Sequence, residues 1–183
     1  MKTATRNLED DHIHILRLID VMEQITTSAD PDISSIEKVI VIIKDFADGL
    51  HHAKEETIFF PLLAERGFST SQGPVAVMLH EHVKGRSFVK GMEEAISSYK
   101  KNDKNAIGEI YLYMNLYADL LRSHISKEND ILFRMADRVL SETDHIYLLA
   151  RFNEAEKIQS STSGALEFHN MIDELVSQYV FKT

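Results

Sequence analysis

The chain carries the same histidine–glutamate spacing at two places. His51 precedes Glu55 by four residues, and His124 precedes Glu128 by four residues. On an α-helix four residues return a side chain to within about 40° of its starting direction, so each imidazole and its carboxylate project from one face. Two such helices facing each other would present two imidazoles and two carboxylates to one point. These nitrogen and oxygen donors are typical of a metal site.

The elements that position these pairs are predicted to be helices, because apolar residues recur with helical periodicity and no alternating β-branched run indicates a strand. We expect an all-α fold forming one domain over residues 1–183. An up-down antiparallel four-helix bundle should occupy about 5–140, with two additional C-terminal helices in an extension over about 141–183. The predicted helices cover about 5–27, 34–65, 74–100, 106–140, 144–159 and 164–181.

Local signals refine three of the helix boundaries. Pro31 should end the first helix, and Ser34 or Ser35 should cap the second. Pro61 lies inside the second helix and cannot donate to the Thr57 carbonyl, which predicts a kink or break. A polar linker over 160–164 should separate the two C-terminal helices.

Helix geometry indicates which of the nine histidines face the core. Leu8, Ile15 and their apolar neighbours lie within about 60° of His12, at about 100° per residue, whereas His14 points the opposite way, to solvent. The same test turns His82 inward and His80 outward. His52 falls at the margin of the apolar stripe. The predicted metal ligands are His12, His51, Glu55, His82, His124 and Glu128.

A simpler explanation is that these histidines are hydrogen-bonded core residues, as a lone histidine on an apolar face usually is. Here each of the four long helices buries one histidine, and two of the helices also bury a glutamate. Burying so many ionisable groups without a counter-charge would cost several kcal/mol per charged group. A bound cation offsets that cost, so we favour the metal site.

Composition restricts both the metal and the partners. The 183 residues include no cysteine, which excludes thiolate-held zinc, iron–sulfur clusters and thiolate-ligated haem. A formal net charge of −9 argues against nucleic acid or an anionic membrane as a partner. The N-terminus lacks the apolar core of a signal peptide, and the longest aliphatic run, 39–43, is too short to span a bilayer. We therefore expect a cytoplasmic protein.

Four motifs in order resemble the hemerythrin-like family of HHE cation-binding domains. They are Leu8-x-x-x-His12-x-x-Ile15, the run His51 to Glu56 with Phe60-Pro61, the run Val77 to His82 with Gly85-Arg86, and the run His124 to Glu128. The resemblance covers about residues 5–140. It implies a four-helix bundle holding two iron ions bridged by the two glutamates, with an oxo or hydroxo bridge. It also implies a role connected with oxygen, iron or nitric oxide. Manganese or zinc could substitute for iron at such donors.

The chain departs from the oxygen-carrying hemerythrins, which supply two histidines four apart from the third helix. Here the position four before His82 is Met78, a poor ligand for such a centre. The carboxylate on the fourth helix is a glutamate at i+4 rather than an aspartate at i+5. A simple oxygen-carrier role is therefore in doubt. His52 is the nearest candidate for a fifth histidine ligand, with surface exposure as the alternative.

Three further residues lie beside the predicted ligands. Arg86 points inward and requires a carboxylate partner, which could be Glu55, Glu128 or another acid in the bundle. Gly85 either permits close helix packing or leaves room for a small ligand. Tyr117 is either a core residue with a satisfied hydroxyl or a hydrogen-bond donor to a ligand on the metal.

Three functions fit these observations. The first is a diiron protein that binds or senses oxygen, nitric oxide or iron status, so its partner is a small diatomic ligand. The second is a diiron enzyme acting on peroxide or oxygen, or an iron donor for repair of damaged iron centres. The third is a structural helical bundle with packed histidines. The sequence does not indicate the oligomeric state.

Overall fold

The computed structural model describes residues 2–28, 32–160 and 165–180, and within these ranges the chain forms helices without a strand. Most of the predicted linker over 160–164 and the Asp30–Pro31 boundary lie outside the described residues. None of the described helices is long and apolar enough to cross a membrane. The six helices are α1 (Ala4–Thr26), α2 (33–65), α3 (Gly73–Lys100), α4 (106–139), α5 (Glu142–Ser160) and α6 (Ala165–Tyr179).

Two of the bundle helices, α2 and α4, contain π-helical stretches. Helix α2 starts as α-helix over Ile33–Ile42, is π-helical over Ile43–His52 and Glu55–Phe59, and returns to α-helix over Phe60–Glu65. In α4 the π stretch is Glu128–Leu132. A π turn closes hydrogen bonds between residues five apart and is wider than an α turn.

The predicted break at Pro61 does not occur, because the chain stays helical through it. The amide of Phe60 donates to the carbonyl of Glu55, five residues back. Pro61 follows in the first turn of the final α stretch, where a missing amide hydrogen is tolerated. The proline therefore marks a change of hydrogen-bond register instead of a break.

Helix α2 also begins and ends with specific caps. Its N-cap is Asp32, not Ser34 or Ser35, and the Asp32 carboxylate accepts from both serine amides. At the other end Gly67 adopts φ +95°, the left-handed conformation that glycine tolerates best, and the Phe68 amide donates to the Leu63 carbonyl.

Helices α1 to α4 form the up-down bundle, and the C-terminal helices cover one side of it. Helices α3 and α4 pack along their length, and α1 contacts both α4 and α6. Helix α5 contacts α1 and the π stretches of α2, while α6 lies against α1 and the start of α2. At the α3–α4 contact a Cβ on Gly91 would lie 2.6 Å from the Tyr113 ring, so only glycine allows this approach.

A polar layer divides the hydrophobic core into two clusters. On each bundle helix a candidate ligand separates residues of one cluster from residues of the other. We call the cluster that contains Leu8 the lower cluster and the cluster that contains Ile15 the upper cluster. On α1, His12 lies between these two residues. The same level is occupied by residues 51–55 on α2, His82 on α3 and His124 to Glu128 on α4.

Candidate metal centre

The polar layer brings all six predicted ligands together and adds His52. All seven residues are buried, with at most 4 % of their surface exposed, and Glu55 and Glu128 have no exposed surface. Their placement follows from helix periodicity, which aligns the apolar stripe and the ligands on the same inward face.

The π stretches of α2 explain why His52 points inward. On an ideal α-helix His52 would lie about 100° from His51. Both histidines lie in the π stretch Ile43–His52, whose wider turn needs fewer degrees per residue and brings neighbouring side chains closer in direction. Surface exposure of His52, the alternative left open by the sequence, is therefore wrong.

The donor atoms form two clusters that share one glutamate. The two-histidine cluster contains His12, His51, Glu55 and Glu128. The three-histidine cluster is made of His52, His82, His124 and, again, Glu55. Within each cluster one donor atom per residue lies within 4.8 Å of the others.

Both carboxylates lie between the two clusters. Glu128 Oε2 is 3.3 Å from His12 Nε2 and 3.3 Å from His124 Nε2. One oxygen of Glu55 is 3.7 Å from His51 Nε2, and the other is 3.4 Å from His82 Nε2. Each glutamate thus contacts one histidine of each cluster, as a carboxylate bridging two metals must.

The partner of each outward-facing ring nitrogen determines which of the two nitrogens is free to bind metal. His12 Nδ1 lies 2.8 Å from Asn129 Oδ1, and His82 Nδ1 lies 2.7 Å from Glu56 Oε1. The other three Nδ1 atoms also face oxygens, at 3.2 Å for His51 to Asp11, 3.0 Å for His124 to Glu81 and 3.3 Å for His52 to Asp48. An acceptor at Nδ1 keeps the proton there in a neutral imidazole, which leaves the Nε2 lone pair facing inward.

Four of these five acceptors, all except Asn129, are held in turn by cationic side chains. Lys54 is fully buried, with Nζ 2.6 Å from Asp11 Oδ2 and 3.1 Å from Glu156 Oε1 of helix α5. Lys127 binds Glu81 in the same way.

Arg86 carries out this role for two acceptors at once. Its guanidinium donates to Asp48 at 2.9 Å and to Glu56 at 2.7 Å. Its partners are therefore other acids of the bundle, and neither Glu55 nor Glu128 is among them.

These outer residues are not among the predicted ligands, and only some of them have a recognisable spacing in the sequence. Asp48 precedes His52 by four residues, which is a recognisable helical spacing. Asp11, Glu81 and Asn129 reach histidines on other helices, so no local spacing identifies them.

Opposing effects set the protonation of the layer in the absence of metal. Burial favours the neutral form of Glu128, but His124 and His12 outweigh it and lower its pKa to about 2. Burial likewise opposes charge on His82, yet Glu55 and Glu56 raise its pKa to about 9. The pKa of His12 is also raised, against burial, by Glu128. Burial holds the pKa of His52 well below its ordinary value, so His52 is neutral.

The donor atoms fit a pair of cations. His12 Nε2 lies 3.0 Å from His51 Nε2, and His82 Nε2 lies 3.2 Å from His124 Nε2, so two lone pairs face each other unless a cation or a proton lies between them. All four oxygens of the two glutamates are buried without a hydrogen bond, as is His52 Nε2. The nearby imidazoles make ionic contacts with these oxygens without the geometry of a hydrogen bond. Nitrogen and oxygen donors without thiolate suit iron, manganese or zinc.

Other predicted residues lie elsewhere. His14 does not face solvent: its ring stacks on His169 of α6 at a centroid distance of 3.6 Å, because α6 covers the outer side of α1. His80 is exposed as predicted, and Met78 is a buried core residue.

Tyr117 is buried, and its hydroxyl forms no hydrogen bond within the described residues. Gly85 faces this ring, and a Cβ there would make ordinary contacts at 3.5 Å. Close helix packing therefore does not require glycine at position 85.

Comparison with known proteins agrees with this arrangement. The family profile of the hemerythrin HHE cation binding domain matches residues 3–136, the length of the bundle. The chain is 31% identical over 97 residues to a protein of Neisseria gonorrhoeae described as the iron-sulfur cluster repair protein DnrN, a match that covers 50% of this chain and 61% of that protein. No solved structure matches significantly. The chain therefore belongs to the hemerythrin HHE cation-binding domain family.

Proposed function

We propose that the chain is a non-haem diiron protein that binds a small diatomic ligand, oxygen or nitric oxide. His12 and His51 would hold one iron, His52, His82 and His124 the other, and Glu55 and Glu128 would bridge them. Iron with an open coordination position supplies reversible binding of such ligands. The protein's own residues orient the imidazoles, exclude bulk water and hold the ring protons at Nδ1.

The observation that carries this proposal is the set of buried donor atoms without a hydrogen bond. Four carboxylate oxygens and His52 Nε2 lack hydrogen bonds in the polar layer. Burying a carboxylate without a hydrogen bond is energetically costly. A single metal ion could not contact the imidazoles of both clusters, so some of the donors would have no cation. A pair of cations satisfies every donor. Family membership supports cation binding independently.

Metal analysis and optical spectroscopy test the proposal directly. Protein loaded anaerobically with ferrous iron should contain about two ions per chain, as two-metal sites do. Its absorbance should change on exposure to oxygen or nitric oxide and return when the gas is removed. Fewer than about 0.2 ions per chain would favour a purely structural bundle, because a single occupied site gives about one. Full iron content without any optical change would refute ligand binding.

Iron donation for repair of damaged iron centres is the second candidate. The similarity to a protein described as an iron–sulfur cluster repair protein favours it. So does the position of four ligands within π stretches, at His51, His52, Glu55 and Glu128, because π turns are rare and are frequently found at functional sites. Loaded protein mixed with a metal-free ferredoxin, sulfide and a thiol should then restore the cluster faster than free ferrous iron at the same concentration.

A further inference from the structure

Helix α5 is packed against the bundle at the level of the two-histidine cluster. It contacts α1, which carries His12, and both π stretches of α2, which carry His51 and Glu55. Phe152 of α5 is fully buried in the lower cluster. Gln159 Nε2 donates to a backbone carbonyl of the long π stretch at 3.2 Å. A helix beyond the family match therefore contacts the segments that supply three ligands of one metal.

A buried lysine joins this helix to one ligand histidine. Glu156 of α5 accepts from Lys54 at 3.1 Å, and Lys54 Nζ lies 2.6 Å from Asp11 Oδ2. Asp11 in turn lies 3.2 Å from His51 Nδ1. Lys54 is fully buried and also donates to Asn7 of α1, so its charge depends on the two acids for compensation. The orientation of His51 therefore depends on a carboxylate that only α5 supplies.

The three-histidine cluster has a different support within the described part of the chain. Its Nδ1 acceptors belong to α2 and α3, and they are held by Arg86 of α3 and Lys127 of α4. This support lies entirely inside the bundle. The two-histidine cluster also offers one imidazole fewer to its metal. The two clusters thus differ both in donors and in the elements that position those donors.

We propose that α5 is a latch that retains the metal of the two-histidine cluster, with Glu156 and Lys54 as positioning residues for His51. The inference rests on the proposed function, since it requires a metal in each cluster. While α5 is docked, the ion pairs keep the His51 ring in place with Nε2 facing inward. When α5 undocks, Lys54 loses one of its two carboxylate partners and His51 is held less firmly. The metal of the two-histidine cluster then leaves first, and the other stays.

Chelation kinetics test the latch. Protein loaded anaerobically with ferrous iron is mixed with excess chromogenic chelator, and the parent protein should release its iron in two phases of about one ion each. Glu156→Gln should accelerate the faster phase about three- to tenfold and leave the slower phase unchanged. This effect is smaller than the roughly 10- to 100-fold expected for a direct partner of a ligand, because Glu156 acts through Lys54.

Glu154→Gln is the matched control. Glu154 lies on the same helix, has an exposed side chain and pairs with Arg151 of that helix. The substitution removes the same charge from α5 without touching the contacts to Lys54. Both release phases should therefore match those of the parent protein.

Amide hydrogen exchange distinguishes a latch from a general loss of stability. Coupling between two sites is reciprocal, so a helix that retains a metal must itself be retained by that metal. The amides of α5 should exchange at least about threefold more slowly in loaded than in chelated parent protein, and Glu156→Gln should reduce this difference. A purely structural role would instead speed exchange in α5 to the same extent with and without metal.

The outcomes separate the latch from the proposed function. Iron-loaded parent protein that releases both ions in one phase overturns the latch alone, as does equal acceleration of both phases in Glu156→Gln. Exchange in α5 that does not respond to metal overturns it too, and this comparison needs no variant if Glu156→Gln fails to fold. Parent protein that takes up no iron overturns the proposed function, and the latch with it.

Discussion

At the scale of single residues, each of the five histidines in the polar layer uses its two ring nitrogens for different purposes. Nδ1 faces an oxygen acceptor, and Nε2 faces the centre of the layer. The acceptors Asp11, Glu56 and Glu81 are carboxylates, which increase the basicity of the imidazoles they contact. The Nε2 lone pairs are thereby both oriented and strengthened as metal donors.

Removal of one ligand histidine should cost the centre at least one of its two metal ions. In His51→Ala or His124→Ala, iron content should fall from about two ions per chain to one or fewer. The free energy of unfolding should drop by about 3 kcal/mol, because a glutamate stays buried with less compensation. Elemental analysis and urea denaturation measure the two effects.

His80→Ala is the matched control for that comparison, because His80 is exposed and lies two residues from His82. It should change neither iron content nor stability. His14 and His145 are unsuitable controls, since His14 stacks on His169 and His145 Nδ1 accepts from the Ala4 amide. Equal iron loss in His80→Ala and His124→Ala would show that the helix faces are misassigned.

The stability difference between loaded and metal-free protein should widen as pH rises from about 6.5 to about 9. The folded metal-free protein raises the pKa of His82 from 6.5 to about 9. Its protonated form therefore contributes stability that is fully present below pH 6.5 and is lost as pH rises through 9. The stability gained from metal binding increases as pH rises, because His82 must be deprotonated to bind the metal. Calorimetry with and without chelator measures the gap, and a constant gap would contradict this account.

Sequence periodicity was sufficient to place six of the seven centre residues on inward helix faces. His52 is ambiguous from the sequence because α-helical angles do not describe a stretch that is π-helical. The π register has no simple sequence signal, and it became visible only in the hydrogen bonds. The angle of His14 places it outside the bundle core, but it does not predict that α6 covers this side of α1, where His14 stacks on His169.

At the scale of elements, helix α5 reaches the metal centre through one buried lysine. Glu156 of α5 contacts Lys54, Lys54 contacts Asp11, and Asp11 accepts from His51. No spacing in the sequence predicts this chain of contacts, because it joins three helices. The family match ends at residue 136, so the contribution of α5 lies beyond the shared bundle.

Lys54→Met should weaken both the fold and the centre. It leaves Asp11 without its cation in a buried setting, which costs about 3–5 kcal/mol when one partner of a buried pair is removed. Iron affinity should fall about 10- to 100-fold, the usual effect of losing a partner behind a ligand. Lys157→Met, at an exposed position on α5, should have neither effect. Competition with a chelator measures affinity, and equal values for the two variants would refute the role of Lys54.

At the scale of the whole molecule, the polar layer leaves two separate hydrophobic clusters along the bundle. The lower one contains Phe59, Phe133 and Phe152, and the upper one contains most of the aliphatic residues of α1 and α2. Each bundle helix crosses the layer and belongs to both clusters. Without metal, the layer contributes unsatisfied carboxylates where the two clusters meet.

This division has a consequence for cooperativity. With metal bound, the two clusters should unfold in a single two-state transition, with equal calorimetric and van't Hoff enthalpies. Without metal they should separate into two unfolding units, and the calorimetric enthalpy should exceed the van't Hoff enthalpy. Scanning calorimetry distinguishes these cases, and a two-state transition in chelated protein would show that the helices alone couple the clusters. The metal proposed to bind a small ligand would then also decide whether the chain unfolds as one unit or as two.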